Sequence, residues 1–466
     1  MLSQNQPVGM IVLGPLEDGT TVRTQYDLEP EPRRPGTDGM VLTAIVSPAL
    51  EPHTRWFLRE LLRHSKYSTL FWLCRLFSRG DLNPNKQLIS IAGHMTPVHP
   101  RRAIPNISGN KDLDKIYRDV AAPFALWVLE RPLTSLPKVY VNSSIVVVGA
   151  SRTGLAFLET LLLGPTCQYL TFSNVTLVSE HGLPTVSECL RAADTCVPRD
   201  GRYSDRYLKS VPFYFYLDVM TAEMVGIDRQ GKPCDRVLMD DPKYKPDMLP
   251  QTSELPENVM LINSLFEANI CLRKLVHMIS DTKDSPECLS ADNPIVVYGD
   301  CIEAYSCIAA LLELGIFSEM IIFIEPFPPD DPTKLRVNCF NNETVDERVQ
   351  ANLDDLGIRV YRKYFLAGWQ NNGNRVESIS LMSLLQVTCL PCFAMFYYGI
   401  KAINVSAFKA INECGLVYDG GLVVGTSFET NDPNVFGAGT CVKYSRRLYA
   451  LQRAHRHYSS EDVGEA

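Results

Sequence analysis

Two glycine turns hold the residues whose types and spacing could do chemistry. Gly149-Ala-Ser151-Arg-Thr-Gly154 follows the β-branched run Ile145 to Val148, and Gly299-Asp-Cys301-Ile-Glu-Ala304 follows PIVVY. Each turn opens a stretch with helical apolar spacing. A strand, a glycine turn and a helix together offer free backbone N–H groups and a partial positive charge to a pyrophosphate. Each unit then continues into a second strand-like run that ends in an acid, FSNVTLVSE at Glu180 and MIIFIE at Glu325. A carboxylate at that place would accept hydrogen bonds from a ribose. The step from Gly149 to Glu180 exceeds the usual offset of about 20 residues, and GPTCQYLTFSN reads as the insertion that lengthens it. A solvent-facing glutamate at a strand end is the alternative reading of Glu180.

Both turns depart from G-x-G-x-x-G/A, whose middle glycine lets the backbone approach the pyrophosphate. Ser151 and Cys301 stand at that place. A Cβ there crowds the phosphate. Ser151 is small and can donate a hydrogen bond, whereas Cys301 has Asp300 and Glu303 beside it, and their charges repel phosphate. The candidate cofactor-binding residues are therefore Gly149, Ser151, Gly154 and Glu180 in the first unit and Gly299 and Glu325 in the second. Gly439, in the glycine turn of NVFGAGTC, joins the first set. No catalytic residue and no metal ligand set emerges.

Other reactive residues have plainer readings. Cys389-Leu-Pro-Cys392 has the spacing of a redox pair, but it lies in the apolar stretch LLQVTCLPCFAMFYYG. It reads as buried structural cysteine, and Pro391 argues against a regular strand ladder there. Cys189 and Cys196 are farther apart. His94 and His99, in GHMTPVHPRRAIPN, lack the further ligands that a metal needs and read as surface or structural histidines. Arg101 and Arg102 beside them read as a solvated face.

The elements that must position the turns follow from periodicity. Val8 to Leu13 reads as a strand. Leu58, Leu61, Leu62, Leu73, Leu76 and Phe77 predict a helix over residues 54–77. Ala122 to Glu130 leads towards the first turn, whose strand Ile145–Val148 is expected to be buried on both faces. Phe213 to Val219 and Met260 to Asn263 read as strands, Arg229 to Gly231 as a hairpin turn, and Asp240 to Pro256 as a loop. Asp419-Gly420-Gly421 signals a hairpin, Asn434 to Cys441 a strand entering a glycine turn, and Tyr444 to Tyr458 a basic final helix.

At 466 residues the length suits about three domains. The net charge of −8 gives no reason to expect nucleic acid as a partner. No apolar run approaches the roughly 20 residues of a membrane span. Fourteen scattered cysteines suit a reducing compartment, and the composition reads as cytosolic.

The two turns, about 150 residues apart, together with GLVYDGGLVVGT and NVFGAGTC, resemble the pyridine nucleotide-disulphide oxidoreductases. That resemblance implies an NAD(P)H domain inserted into an FAD domain. It also implies an aspartate in an Ala-Gly-Asp context near the flavin, where this chain has Thr440. A narrower resemblance is carried by APFAL, VNSSIVVVGASRTGLAFLETLL, FSNVTLVSEHGLP, AFKAINECGLVYDGGLVV and SRRLYA. These strings are similar to the C-terminal, oxidoreductase-like half of the cilia- and flagella-associated protein 61 family. The resemblance implies a radial-spoke-associated component of the axoneme in motile cilia and flagella, with radial-spoke proteins as partners. The acetyltransferase-like part that it implies at the N-terminal end is not evident.

The expected fold is α/β, with two Rossmann-like, FAD/NAD(P)-binding-like domains, the second inserted in the first. The expected parts are an N-terminal region over 1–90, a first domain over 91–290, an inserted domain over 291–400 and a return over 401–466. With every phosphate and flavin motif altered, the reading is a non-catalytic docking protein without a cofactor. The alternatives are a flavin- or NAD(P)-dependent oxidoreductase and a nucleotide sensor without turnover.

Overall fold

The structure, a computed structural model, describes residues 2–3, 6–16, 19–28, 36–74, 89–101, 124–183, 190–197, 205–229, 237–240, 255–282, 288–326, 342–383, 386–399, 405–448 and 459–466. Arg102, Cys189, Arg453, Arg456 and most of the 240–256 loop lie outside them. The chain divides into two compact units. The first takes residues 1–186, 202–242 and 403–466, and the second takes 187–201 and 243–402. The second therefore interrupts the sequence of the first.

The first unit begins with β1 (Gly9–Pro15), β2 (Asp38–Val46), α1 (Thr54–His64), β3 (Thr69–Cys74), β4 (Thr96–Val98) and β5 (Ala125–Glu130). Their strands form one mixed sheet in the order β1-β2-β3-β5-β4. Of the helix expected over 54–77, residues 54–74 form two elements, and Leu76 and Phe77 lie outside the described residues. α1 buries Leu58 and Leu62, Ser65 turns extended, and TLFWLC becomes the central strand of the sheet. A short apolar run buried on both faces has no period that separates it from a helix. Leu70 and Trp72 of this run pack with Leu58, Leu62 and Trp127 in one core.

The first glycine unit follows as β6 (Ile145–Val148), α2 (Arg152–Leu163), β7 (Val175–Ser179) and β8 (Leu217–Thr221). The three strands are parallel in the order β8-β7-β6. Leu155, Leu158 and Leu162 of α2 pack with Val175, Leu177 and Leu217 of the sheet. β6 is not buried on both faces as its composition suggests. Val148 is 46% exposed, because β6 stands at the outer place and pairs with β7 alone among the described residues. The run Phe213 to Val219 starts as a helical turn after Pro212 and becomes a strand only at Leu217. β9 (Glu223–Ile227) and β10 (Val237–Asp240) pair antiparallel on either side of the turn expected at Arg229 to Gly231, of which Gln230 and Gly231 lie outside the described residues.

The second unit contains β11 (Val259–Met260), α3 (Leu265–Asp281), β12 (Ile295–Tyr298), α4 (Ile302–Glu313), β13 (Ile321–Glu325), α5 (Glu343–Asp355) and β14 (Arg359–Arg362). It continues with β15 (Phe365–Asn372), β16 (Arg375–Met382), β17 (Val387–Pro391) and β18 (Ala394–Tyr397). Five strands form a wholly parallel sheet in the order β11-β18-β12-β13-β14. β12 and β13 are buried throughout, which is why they read as continuous apolar runs. β15, β16 and β17 form an antiparallel sheet whose Ile379 and Leu381 pack with Val296 and Ile322. The chain steps outward from β12 to β14 and returns beside β12 as β18. The carboxyl ends of β12 and β18 thus flank the switch point where open α/β sheets take their ligands.

The return to the first unit holds α6 (Val405–Glu413), β19 (Leu422–Val424), β20 (Val442–Tyr444) and α7 (Ser460–Glu465). β19 pairs parallel with β20, and the Gly420 turn closes only a single bridge from Tyr418 to Leu422. Asn434 to Cys441 is irregular rather than a strand, with one bridge at Phe436. The final helix expected over 444–458 is corrected at its start, and residues 449–458 lie outside the described residues. Tyr444 ends β20, and Arg446–Leu448 form one tight turn. Arg229 ties this return to the β9 hairpin through Asp432 at 2.9 Å and the Cys414 carbonyl at 3.1 Å.

Candidate functional site

The first turn keeps two of the three glycine roles. Gly149 has φ +97°, a conformation that side chains disfavour, and open space lies where its Cβ would be. Its N–H donates to the Val178 carbonyl at 2.8 Å, which holds the turn on the sheet. Gly154 is the packing glycine, since a Cβ there would lie 2.7 Å from the Gly149 carbonyl oxygen. Ser151 has taken another task. It caps α2, its Oγ accepting the Gly154 N–H at 3.3 Å. A helix N–H that could face a phosphate is thereby bonded within the chain.

Gly439 joins this group. It has φ +86°, and a Cβ there would lie 3.1 Å from Thr153 Oγ1 of α2. Glu180 follows β7 directly and is exposed. Gly149, Ser151, Gly154 and Gly439 therefore converge on the first turn of α2, with Glu180 at the end of the neighbouring strand. Thr440 is exposed beside Gly439. The backbone cradle fits a dinucleotide in part: the turn and the close approach are present, while the middle glycine and the flavin aspartate are not.

The second turn packs tightly against the chain just past the neighbouring strand. A Cβ on Gly299 would lie 2.7 Å from Tyr398 Cβ and 3.1 Å from the Tyr398 carbonyl oxygen. Tyr398, just past β18, donates its N–H to the Tyr298 carbonyl at 2.7 Å. The rings of Tyr298 and Tyr397 stack with centroids 5.3 Å apart. Cys301 opens α4 without capping it. Burial, with Glu303 beside it, pushes the Cys301 thiol up to about 12, so it is no thiolate. Glu325 is 7% exposed and accepts a hydrogen bond from Tyr305 Oη at 2.9 Å. Tyr398 meets the glycine through its Cβ and backbone, while its ring is buried in the core with the hydroxyl 3.4 Å from Cys196 Sγ. With Cys301 at the middle position and Glu325 buried against Tyr305, the side chains of this turn do not fit a dinucleotide.

The remaining candidates are separate. Cys389 is exposed on β17, contrary to the buried pair expected, and Cys392 is buried. β17 is an edge strand, which accommodates Pro391. His94 is buried and bonds Tyr140 Oη at 3.0 Å, while His99 faces Tyr207 at 3.2 Å and Glu159 at 3.4 Å. Arg101 donates to the Tyr26 carbonyl at 3.2 Å. Among the described residues no group of His, Cys, Asp or Glu is placed to hold a metal, and no helix is long and apolar enough to cross a membrane. Tyr305 and Tyr398, which decide the second turn, carried no motif. The helix α3 could have been found from Ser264 and Glu267, which cap it reciprocally.

No protein-family profile matches the chain. The chain is similar to the cilia- and flagella-associated protein 61 of Tetrahymena thermophila, 27% identical over 217 residues. The match takes 41% of this chain and spans 12% of that protein's length. Similar solved structures include putidaredoxin reductase in covalent complex with putidaredoxin, with 16% identity, 70% of this chain and 75% of that one covered, and a TM-score of 0.43. A ferredoxin reductase from Rhodopseudomonas palustris gives 15%, 69%, 75% and 0.44 in the same order. An NAD-dependent persulfide reductase from A. fulgidus gives 16%, 64%, 53% and 0.40. At these scores the fold rests on the strand order above, which is α/β with two parallel sheets of nucleotide-binding type, the second within the sequence of the first.

Proposed function

We propose that the chain is a non-catalytic docking component of the motile-cilium or flagellar axoneme, associated with radial spokes and built on a degenerate FAD/NAD(P)-binding oxidoreductase fold. Its setting would be the cytoplasm and the axoneme, and its partners radial-spoke proteins. The similarity to the Tetrahymena protein supports the ciliary part. The observation that carries the non-catalytic part is Glu325, buried and bonded to Tyr305 within the fold, because a ribose needs that carboxylate turned towards the ligand. A fold can outlast its chemistry in this way. Proximity labelling from the tagged chain in ciliated cells tests the docking role. Radial-spoke neighbours are the expected result, and a labelled set without axonemal proteins overturns it.

A second reading, a nucleotide bound at the first turn for sensing or structure, is favoured by the open space at Gly149. An absorbance scan of protein purified from eukaryotic cells, with thermal titrations of FAD, NADH and NADPH, separates the two. Flavin bands near stoichiometric amounts would restore the oxidoreductase alternative. A melting temperature raised by a nucleotide without flavin bands would select the sensor.

A further inference from the structure

α7 lies along α2, the helix that the first glycine turn opens. Three observations define the contact. Glu461 Oε1 of α7 is 3.4 Å from Arg152 Nη2, at the first position of α2. Arg152 Nε is buried and has no hydrogen-bond partner among the described residues. Gly464 is buried so closely that a Cβ there would lie 2.7 Å from Ala156 Cβ and 3.0 Å from the Phe157 backbone nitrogen. The close approach at Gly464 fixes where α7 sits, and its first turn carries Glu461 and Asp462.

We propose that residues 459–466 are an internal competitor of an anionic nucleotide at the first glycine turn. The N-terminal end of α2 and the Arg152 guanidinium are the features that attract a pyrophosphate. In this chain the Glu461 carboxylate takes the guanidinium. Gly149 itself stays open, so the competition is for charge rather than space. An incoming pyrophosphate must displace the Glu461 carboxylate from Arg152, which opposes it. Docked α7 and bound nucleotide thus weaken one another. The inference rests on the nucleotide reading of the first turn and not on the ciliary one.

Linkage makes the test two-sided. If α7 lowers the affinity for nucleotide, nucleotide must loosen α7 by the same factor. ADP is titrated calorimetrically against the whole chain and against Glu461→Gln and Gly464→Val, with hydrogen exchange followed over 459–466. Expected is a gain in ADP affinity of about tenfold in Glu461→Gln, a gain in Gly464→Val, and faster exchange of 459–466 in the parent when ADP is added. Equal ADP binding by all three proteins overturns the proposal alone, and binding by none overturns the nucleotide reading together with it. Should Gly464→Val fail to fold, Glu461→Gln decides alone, since it alters one partly exposed side chain.

Discussion

The Tyr305 hydroxyl donates to the Glu325 carboxylate across 2.9 Å, joining the first turns of α4 to the carboxyl end of β13. The acid that would hold a ribose is spent inside the fold. Tyr305→Phe removes the donor and leaves a buried carboxylate with one partner fewer, at a cost of about 1–2 kcal/mol. Urea unfolding should show a lower midpoint with an unchanged slope. Added NADH should not recover it. Recovery by NADH would mean that the freed acid serves a nucleotide, and the docking reading would lose its main support.

Gly299 and Gly154 are both required by close approach, but by different neighbours. A methyl at Gly299 meets Tyr398 Cβ, and one at Gly154 meets the Gly149 carbonyl, each at 2.7 Å. Overpacking of this kind costs about 1–3 kcal/mol. In a double-mutant cycle with Tyr398→Gly, the cost of Gly299→Ala should shrink by at least about 1 kcal/mol, while that of Gly154→Ala should stay the same. If the two behave alike, Tyr398 is not what the second glycine accommodates.

The second strand-turn-helix unit was legible because β12 and β13 carry unbroken apolar runs around a glycine turn, and local pattern and tertiary burial agree there. The same logic misread TLFWLC, which a neighbouring helix made look helical, and Ile145–Val148, whose composition suits a central strand although it stands at an outer place. At the first turn the sequence showed that Ser151 replaces a glycine. That its hydroxyl caps α2 depends on a 3.3 Å geometry that no spacing encodes. Tyr398 was illegible for a further reason. It reaches Gly299 only because β18 returns beside β12 after about a hundred residues of intervening chain.

Cys389 and Cys392 should behave as unrelated thiols. Side chains alternate along a strand, and Cys389 is exposed where Cys392 is 2% exposed. Burial pushes the Cys392 thiol up to about 12, so almost none of it is thiolate near neutral pH. Brief alkylation of the native protein with iodoacetamide should label Cys389 and spare Cys392, as peptide mass spectrometry can read. Mild oxidation should leave no disulfide between them. A Cys389–Cys392 disulfide in native protein would reopen the redox alternative.

Lys138 supplies the clearest dependence on pH. It is 8% exposed, and its ammonium donates to the Met95 carbonyl at 2.6 Å. Burial, with the Arg55 guanidinium acting the same way, draws its pKa down to about 8 from 10.5. Between those values the unfolded chain binds more protons than the folded one, so the Lys138 contribution to stability rises with pH. It is fully present above about 10.5 and lost as pH falls to about 8, a span of about 3 kcal/mol. Buried thiols such as Cys167, pushed up to about 11, oppose this slope. The measurement is therefore a difference, the unfolding free energy of the parent minus that of Lys138→Met at each pH. The difference should climb between pH 8 and 10 in the parent's favour. A flat difference would mean that Lys138 reaches water in the folded chain and that the buried cations do not hold the Met95 loop.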